Sequence, residues 1–353
     1  MTRLPFSKAG SRNTKQEPQR GAATIFVAVL MVALLGVSAL AVDVGAMYAE
    51  KAQVQNGADA TALAIGGDCA KGLNCTAAMA ASANRLANEN ANDASTGVFS
   101  VTQPNANTVR VETNAREAGT GADHFSLFFA KVLGMDATGI TAAAEVSWGP
   151  PGSGSTLPWT VSECVFRKYL TPSQLTELDT SGKFTGDPIP THILLRYDKN
   201  APDYPGCAVQ NGYEPGGFGW LVPNAECSTD IVAGGTVLGQ PGNSFPKVGG
   251  SDKVCQDVLA GILNEPVLIP LFSSALDGGG DKTKYKLIGF AAFEVTGYRF
   301  GGSLEVDDDL APDCSGECRG LQGYFTRFVT IDEGTVAASG SFNFGATKVH
   351  LTK

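Results

Sequence analysis

One stretch constrains this chain more than any other. From Ala22 to Val42 no residue carries a charge, and nearly all are Ala, Val, Leu, Ile, Phe or Met. As an α-helix, those positions span roughly 32 Å, about the hydrocarbon thickness of a bilayer. No proline interrupts them. Apolar residues continue past Asp43 at Val44, Met47, Tyr48, Val54, Ala58 and Ala62, with three- and four-residue spacing. The pattern predicts one long helix that leaves the membrane and runs on into an aqueous compartment. Asp43 marks the water boundary. Gln55 and Asp59, one turn apart, form a candidate polar contact strip, although solvent exposure explains them equally well. Small residues at Ala33, Ala41 and Gly45 also offer a thin strip for helix pairing.

The flanks set a direction. Arg3, Lys8, Arg12, Lys15 and Arg20 precede the span against Glu17 alone, and Asp43 and Glu50 follow it. The positive-inside rule then places the N-terminus in the cytoplasm and the bulk of the chain outside, as a single-pass cell-membrane protein contacting lipid through Ala22 to Val42. A cleaved signal peptide ending at Ala39-Leu40-Ala41 is the rival reading. Its apolar region would normally be about 7–15 residues, shorter than this run, which favours a retained anchor.

The text RGAATIFVAVLMVALLGVSALAVDVGAMY, followed by VQNGADATALA, resembles the N-terminal segment of TadE/TadG-like proteins, with Asp43, Gln55, Asn56, Asp59 and Ala62 matching the pattern. The resemblance implies a membrane-anchored component of the tight-adherence machinery that assembles Flp-type pili. Its partners would be other Tad-type membrane proteins, met at Asp43, Gln55 and Asp59. Two departures stand out. The D-x-S-x-S metal site of von Willebrand-type domains in many TadG proteins is missing, and Phe26 stands where a class III prepilin would carry Glu five residues after Gly21. Farther on, F..VLG and ITAAAEV are similar to TadE/TadG-type text. GGFGWL and GFAAFEVTGY resemble C-terminal regions attached to some TadG-like anchors of Gram-positive, actinobacterial lineages.

A net charge of −9 gives a nucleic-acid role no electrostatic support. Cys69, Cys75, Cys164, Cys207, Cys227, Cys255, Cys314 and Cys318 all follow the span, in a compartment expected to be oxidising, so disulfides are the first expectation. A short turn makes Cys69–Cys75 a bridge candidate, and Cys314–Cys318 across CSGEC is a second. His124, His192 and His350 are scattered and no CxxC pair occurs, so no metal or other cofactor is expected.

The chain divides in sequence as a basic cytoplasmic tail at 1–20, a transmembrane helix at 21–43, a pilin-like helix-and-sheet unit at 44–148, a GPPGSGST linker at 149–156 and a β-rich disulfide-containing domain at 157–353. The class is α+β. Within the first unit, the long helix is expected to stop at Gly66-Gly67 and a second helix to cover Thr76–Asn92. A hairpin is expected around Pro104-Asn105, and a final strand over Ile140–Trp148. GADHFSLFFAKVLG at 121–134 predicts a helix with Phe125, Phe128, Phe129, Val132 and Leu133 on one face, His124 in its first turn and Gly134 as its stop. In the last domain, strands are expected at His192–Tyr197, Val267–Phe272, Tyr285–Val295 and Gly323–Ile331, with short helices at Ser173–Leu178 and Lys253–Leu263.

No Walker A loop and no G-x-S-x-G elbow occurs, and LPWTV at 157–161 lacks the final Gly of a sortase signal. Asp307, Asp308, Asp309 and Asp313, like Asp277 and Asp281, lack the spaced pattern of a calcium loop and read as solvated acidic loops. The expectation is a non-enzymatic pilus-assembly or related secretion component acting through protein contacts. The alternative is an extracytoplasmic ligand-binding or hydrolytic β domain on a Tad-like anchor.

Overall fold

A computed structural model describes residues 20–73, 75–92, 94–198, 201, 204–207, 217–240, 245–276, 283–301, 304–331, 335–337 and 341–352. The basic tail and the Asp277/Asp281 stretch lie outside the described residues. The first element, α1 (Arg20–Ala70), is a single helix of 51 residues. It runs past the expected stop at Gly66-Gly67, because Gly66 answers a packing demand and not a termination. A Cβ built there would lie 2.6 Å from a methyl of Val146, whereas one at Gly67 meets nothing within 4 Å. Gly66→Ala is therefore expected to cost about 1–3 kcal/mol by overpacking. Gly67→Ala should be neutral or should stabilise by up to about 1 kcal/mol through helix propensity. Chemical denaturation of the two variants side by side checks this.

The turn after α1 is made by Gly72 in the left-handed region, φ 74°, where a side chain would be strained. It leads to α2 (Cys75–Glu89), and the Cys69–Cys75 bridge closes this helical hairpin. Then follow the hairpin strands β1 (Thr96–Asn105) and β2 (Thr108–Ala115), the short pair β3 (Phe125–Ser126) and β4 (Ala137–Thr138), and β5 (Thr141–Gly149). Between β3 and β4 the chain forms one 3₁₀ turn, Ala130–Leu133, ended by Gly134 at φ 82°. The helix expected over 121–134 is thus replaced by β3 and that turn. Its apolar period does not mark a core-facing stripe, since Phe128, Val132 and Leu133 are exposed.

The second half comprises β6 (Ser153–Thr156), β7 (Trp159–Ser162), α3 (Glu163–Lys168), α4 (Pro172–Ser181), β8 (Ile193–Arg196), β9 (Phe218–Trp220), β10 (Thr229–Val232), β11 (Thr236–Leu238), α5 (Lys253–Gly261), β12 (Pro266–Leu276), β13 (Lys284–Gly301), β14 (Leu304–Val306), β15 (Gly320–Thr326), β16 (Phe328–Ile331) and β17 (Ala346–Leu351). Helix α4 starts from Thr171 in a full capping box with Gln174, and Pro172 sits in its first turn. Eight strands form one mixed sheet, ordered β8-β15-β13-β12-β7-β9, with β11 and β14 also paired to β13. Its core is aromatic: Trp159, Phe166, Tyr197, Phe218, Trp220, Phe293, Phe325 and Phe344 are all buried.

The long helix packs on a different sheet, ordered β1-β2-β5-β17-β16. Val54, Ala58, Ala62 and Ile65 form the buried stripe of α1, at spacings of four, four and three. They meet Val109 and Val111 of β2, Ala142, Ala144 and Val146 of β5, and Val349 of β17.

Two expectations about organisation are corrected here. GPPGSGST is no linker. Gly149 ends β5, Pro151 bridges to Val336, and Ser153–Thr156 pairs with β10. Nor is 157–353 a separate unit, because β17 runs antiparallel beside β5, with Val349 opposite Trp148, and β16 is added parallel to it. The expected strand at Gly323–Ile331 breaks at Arg327. Its first part belongs to the eight-stranded sheet and its second to the sheet beneath α1.

Candidate functional site

Asp43 is where the apolar part of α1 meets the rest of the fold. Its side chain does not face water: the residue is 4% exposed. Asp43 Oδ1 accepts from the backbone N–H of Phe128 at 3.0 Å, and Oδ2 accepts from those of Phe129 and Ala130 at 2.9 and 2.6 Å. These amides open the 3₁₀ turn, where backbone N–H groups lack partners of their own. Charge-assisted bonds of this kind are among the stronger ones. Asp43 therefore clamps the 125–138 segment onto the helix and is not available as a partner contact.

Farther along α1, Gln55 Nε2 donates to Asp59 Oδ1 at 2.8 Å and to the carbonyl of Ala143 at 3.2 Å. Both residues are half-buried and engaged within the chain, so the expected contact strip is not laid open. Lys51 Nζ bonds the carbonyl of Thr141, and the Thr113 hydroxyl donates to the carbonyl of Val54 at 2.8 Å. These bonds fix the register of α1 over β2 and β5. The free side of the helix past the span is instead Val44, Tyr48, Ala52 and Asn56, all exposed and four residues apart. That stripe was readable only as the complement of the buried one.

The expected bridges Cys69–Cys75 and Cys314–Cys318 are present, and the other four cysteines pair as Cys164–Cys207 and Cys227–Cys255. His124 is not in a helix; it precedes β3, with its ring 3.7 Å from Glu117. His350 lies on β17. Among the described residues, no three His, Cys, Asp or Glu side chains are placed to hold a metal ion.

The acidic run contains one residue that is not solvated. Asp308 is turned inward, with its side chain 8% exposed, where Oδ2 meets His192 Nδ1 at 2.5 Å and accepts from the Thr296 hydroxyl. The carboxylate also accepts from the backbone N–H of Leu310, and the ring of Tyr324 lies against His192. Burial opposes its charge, but these bonds and the nearby imidazole hold its pKa below the usual carboxylate value. Burial and Glu294 push the Tyr324 phenol up to about 12. Thr296 bonds the carboxylate rather than the imidazole, so the cluster orients His192 without placing that hydroxyl on it as a nucleophile. Because the folded pKa of Asp308 is depressed, its stabilising contribution is present above pH ~4 and is lost as pH falls through the lower folded value. Asp308→Asn is expected to flatten that acid limb in a pH series of unfolding midpoints.

Residues 21–68 match the family model described as Flp pilus-assembly TadE/G-like. The matched segment runs from the start of α1 to two residues before its end, so it takes in the apolar span, the Asp43 clamp and the buried stripe. The segment is similar to that pilus-related family, and α1 is the one helix among the described residues long and apolar enough to cross a membrane. No curated protein and no solved structure matches the chain.

Proposed function

We propose that the protein is a single-pass membrane component of Flp-type pilus assembly, or of a related secretion apparatus. It acts without catalysis, through contacts with other Tad-type membrane proteins. The observation that carries this reading is the Tad-type segment at 21–68, which coincides with an uncharged span and its aqueous continuation in one unbroken helix. Between Ile25 and Val42 that helix contributes no residue to the buried core. Its side chains from Ile25 to Val42 are almost all exposed. Apolar surface on this scale is unfavourable in water and is satisfied in lipid.

The basic residues before the span orient it with the N-terminus inside. Protease added to intact protoplasts is expected to remove the bulk of the chain and spare a fragment of about the first 45 residues, the length of tail plus span. Full protection of the β-rich region would contradict that orientation. Contacts with partners fall on the exposed stripe of Val44, Tyr48, Ala52 and Asn56, since the buried stripe is committed to the chain's own sheet. A photo-crosslinker placed at Tyr48, Ala52 or Asn56 should capture other Tad-type membrane proteins from the native cell. One placed at Ile189, exposed in the second half, should not. Equal capture at both places would remove the specific role of α1.

A further inference from the structure

A second apolar surface lies beside the span. Phe128, Val132, Leu133 and Met135 are 78, 90, 64 and 52% exposed, in a stretch of eight residues. Lys131 is the charged member of this group and is also exposed. The segment is not a loose loop. Both ends are tied by the β3–β4 pair, Leu127 donates to the carbonyl of Asp136 at 2.9 Å, and Gly134 closes the turn with a bond to Lys131. These side chains are thus held outward by an ordered backbone, with no core of their own.

Their height on the helix is set by Asp43. Its carboxylate holds the 128–130 amides within 3.2 Å, one residue past the last position of the uncharged run. Val42 and Val44, on either side of that clamp, are themselves exposed. The apolar turn is therefore held at the level of Asp43, where the uncharged, exposed run of α1 ends. Aromatic and large apolar side chains at such a boundary bury into the headgroup and acyl region, and a lysine among them reaches back to the headgroups.

We propose that the 128–135 turn is a second membrane contact, inserted into the outer leaflet beside α1. Helix and turn form two points of attachment, and Asp43 fixes the spacing between them. The turn would hold the sheet beneath α1 at a set height and tilt above the bilayer, where a single helix would let it swing. This rests on α1 crossing the membrane, and the test separates the two.

The full chain is reconstituted in phosphatidylcholine vesicles carrying bromine on the acyl chains, and single tryptophans are introduced as Val132→Trp, Val32→Trp or Ile189→Trp. All three sites are exposed, so the fold accommodates the ring, and Leu133→Trp serves if Val132→Trp fails to fold. The emission added by Val132→Trp should be blue-shifted and quenched severalfold, as for Val32→Trp, while Ile189→Trp stays unquenched. Quenching at Val32 with water-like, unquenched emission at Val132 overturns the second contact and assigns the turn to a protein partner. No quenching at either site overturns the anchor as well.

Discussion

Removing the Cys164–Cys207 bridge by double alanine substitution is expected to lower stability by about 4 kcal/mol, the chain-entropy value for a loop of this length. The bridge closes 43 residues of sequence separation, against 4 for Cys314–Cys318, for which the same reasoning gives only about 2 kcal/mol. The location adds to the consequence. Cys164 lies on α3 between Val165, Phe166 and the strand that carries Trp159, all buried in the aromatic core. The bridge therefore ties the connection between β8 and β9 to α3, the helix that places Val165 and Phe166 in that core. Unfolding followed by tryptophan emission reports on it, because Trp159 and Trp220 are both in that core. A variant that unfolds at the wild-type midpoint would show that this connection is ordered without its covalent tie.

The second large effect is at the clamp. Asp43→Ala leaves the N–H groups of Phe128, Phe129 and Ala130 without their acceptor. Their exchange with solvent deuterium should speed up roughly a hundredfold, the scale expected from losing charge-assisted bonds. Asp43→Asn retains one carbonyl oxygen and should fall between. Exchange in β5, held by its own ladder to β2 and β17, should not change. If the Phe129 and Ala130 amides remain protected in Asp43→Ala, the turn is ordered by its own backbone alone. The same variant should loosen the membrane contact of Val132 while leaving α1 in the bilayer.

How far the sequence could be read follows from the range over which each signal acts. The span, its aqueous continuation, the hairpin at 96–115 and the two short-range disulfides are local patterns, complete within a few turns of chain. The partner of β5 is not local. Val349 is matched to Trp148 across some two hundred residues, and nothing in the alternation of ATKVHL says which of two sheets it joins. The linker failed for a related reason: a Gly/Pro-rich stretch that turns at a surface and one that threads between two sheets have the same composition. The 121–134 segment was misread because its apolar period is real but faces outward. In the sequence Asp43 reads as a water-facing boundary residue, and its acceptor role could not be seen without the turn 85 residues later. Gln55 and Asp59 were likewise recognisable as polar positions on a small-residue helix. Only the fold shows the carbonyl of Ala143 in reach of Gln55.

The alternative of a ligand-binding or hydrolytic β domain would be pursued at the His192–Asp308–Thr296 cluster. The proposed pilus-assembly role rests instead on residues 21–68, which match the TadE/G-like family model. The most direct test is to delete the gene in its own host and count Flp-type surface fibres by electron microscopy, with the intact chain and the Asp43→Ala chain supplied in trans. Fibres are expected to be lost on deletion, restored by the intact chain and reduced with Asp43→Ala. Fibres at wild-type number and length in the deletion strain would contradict the proposed role.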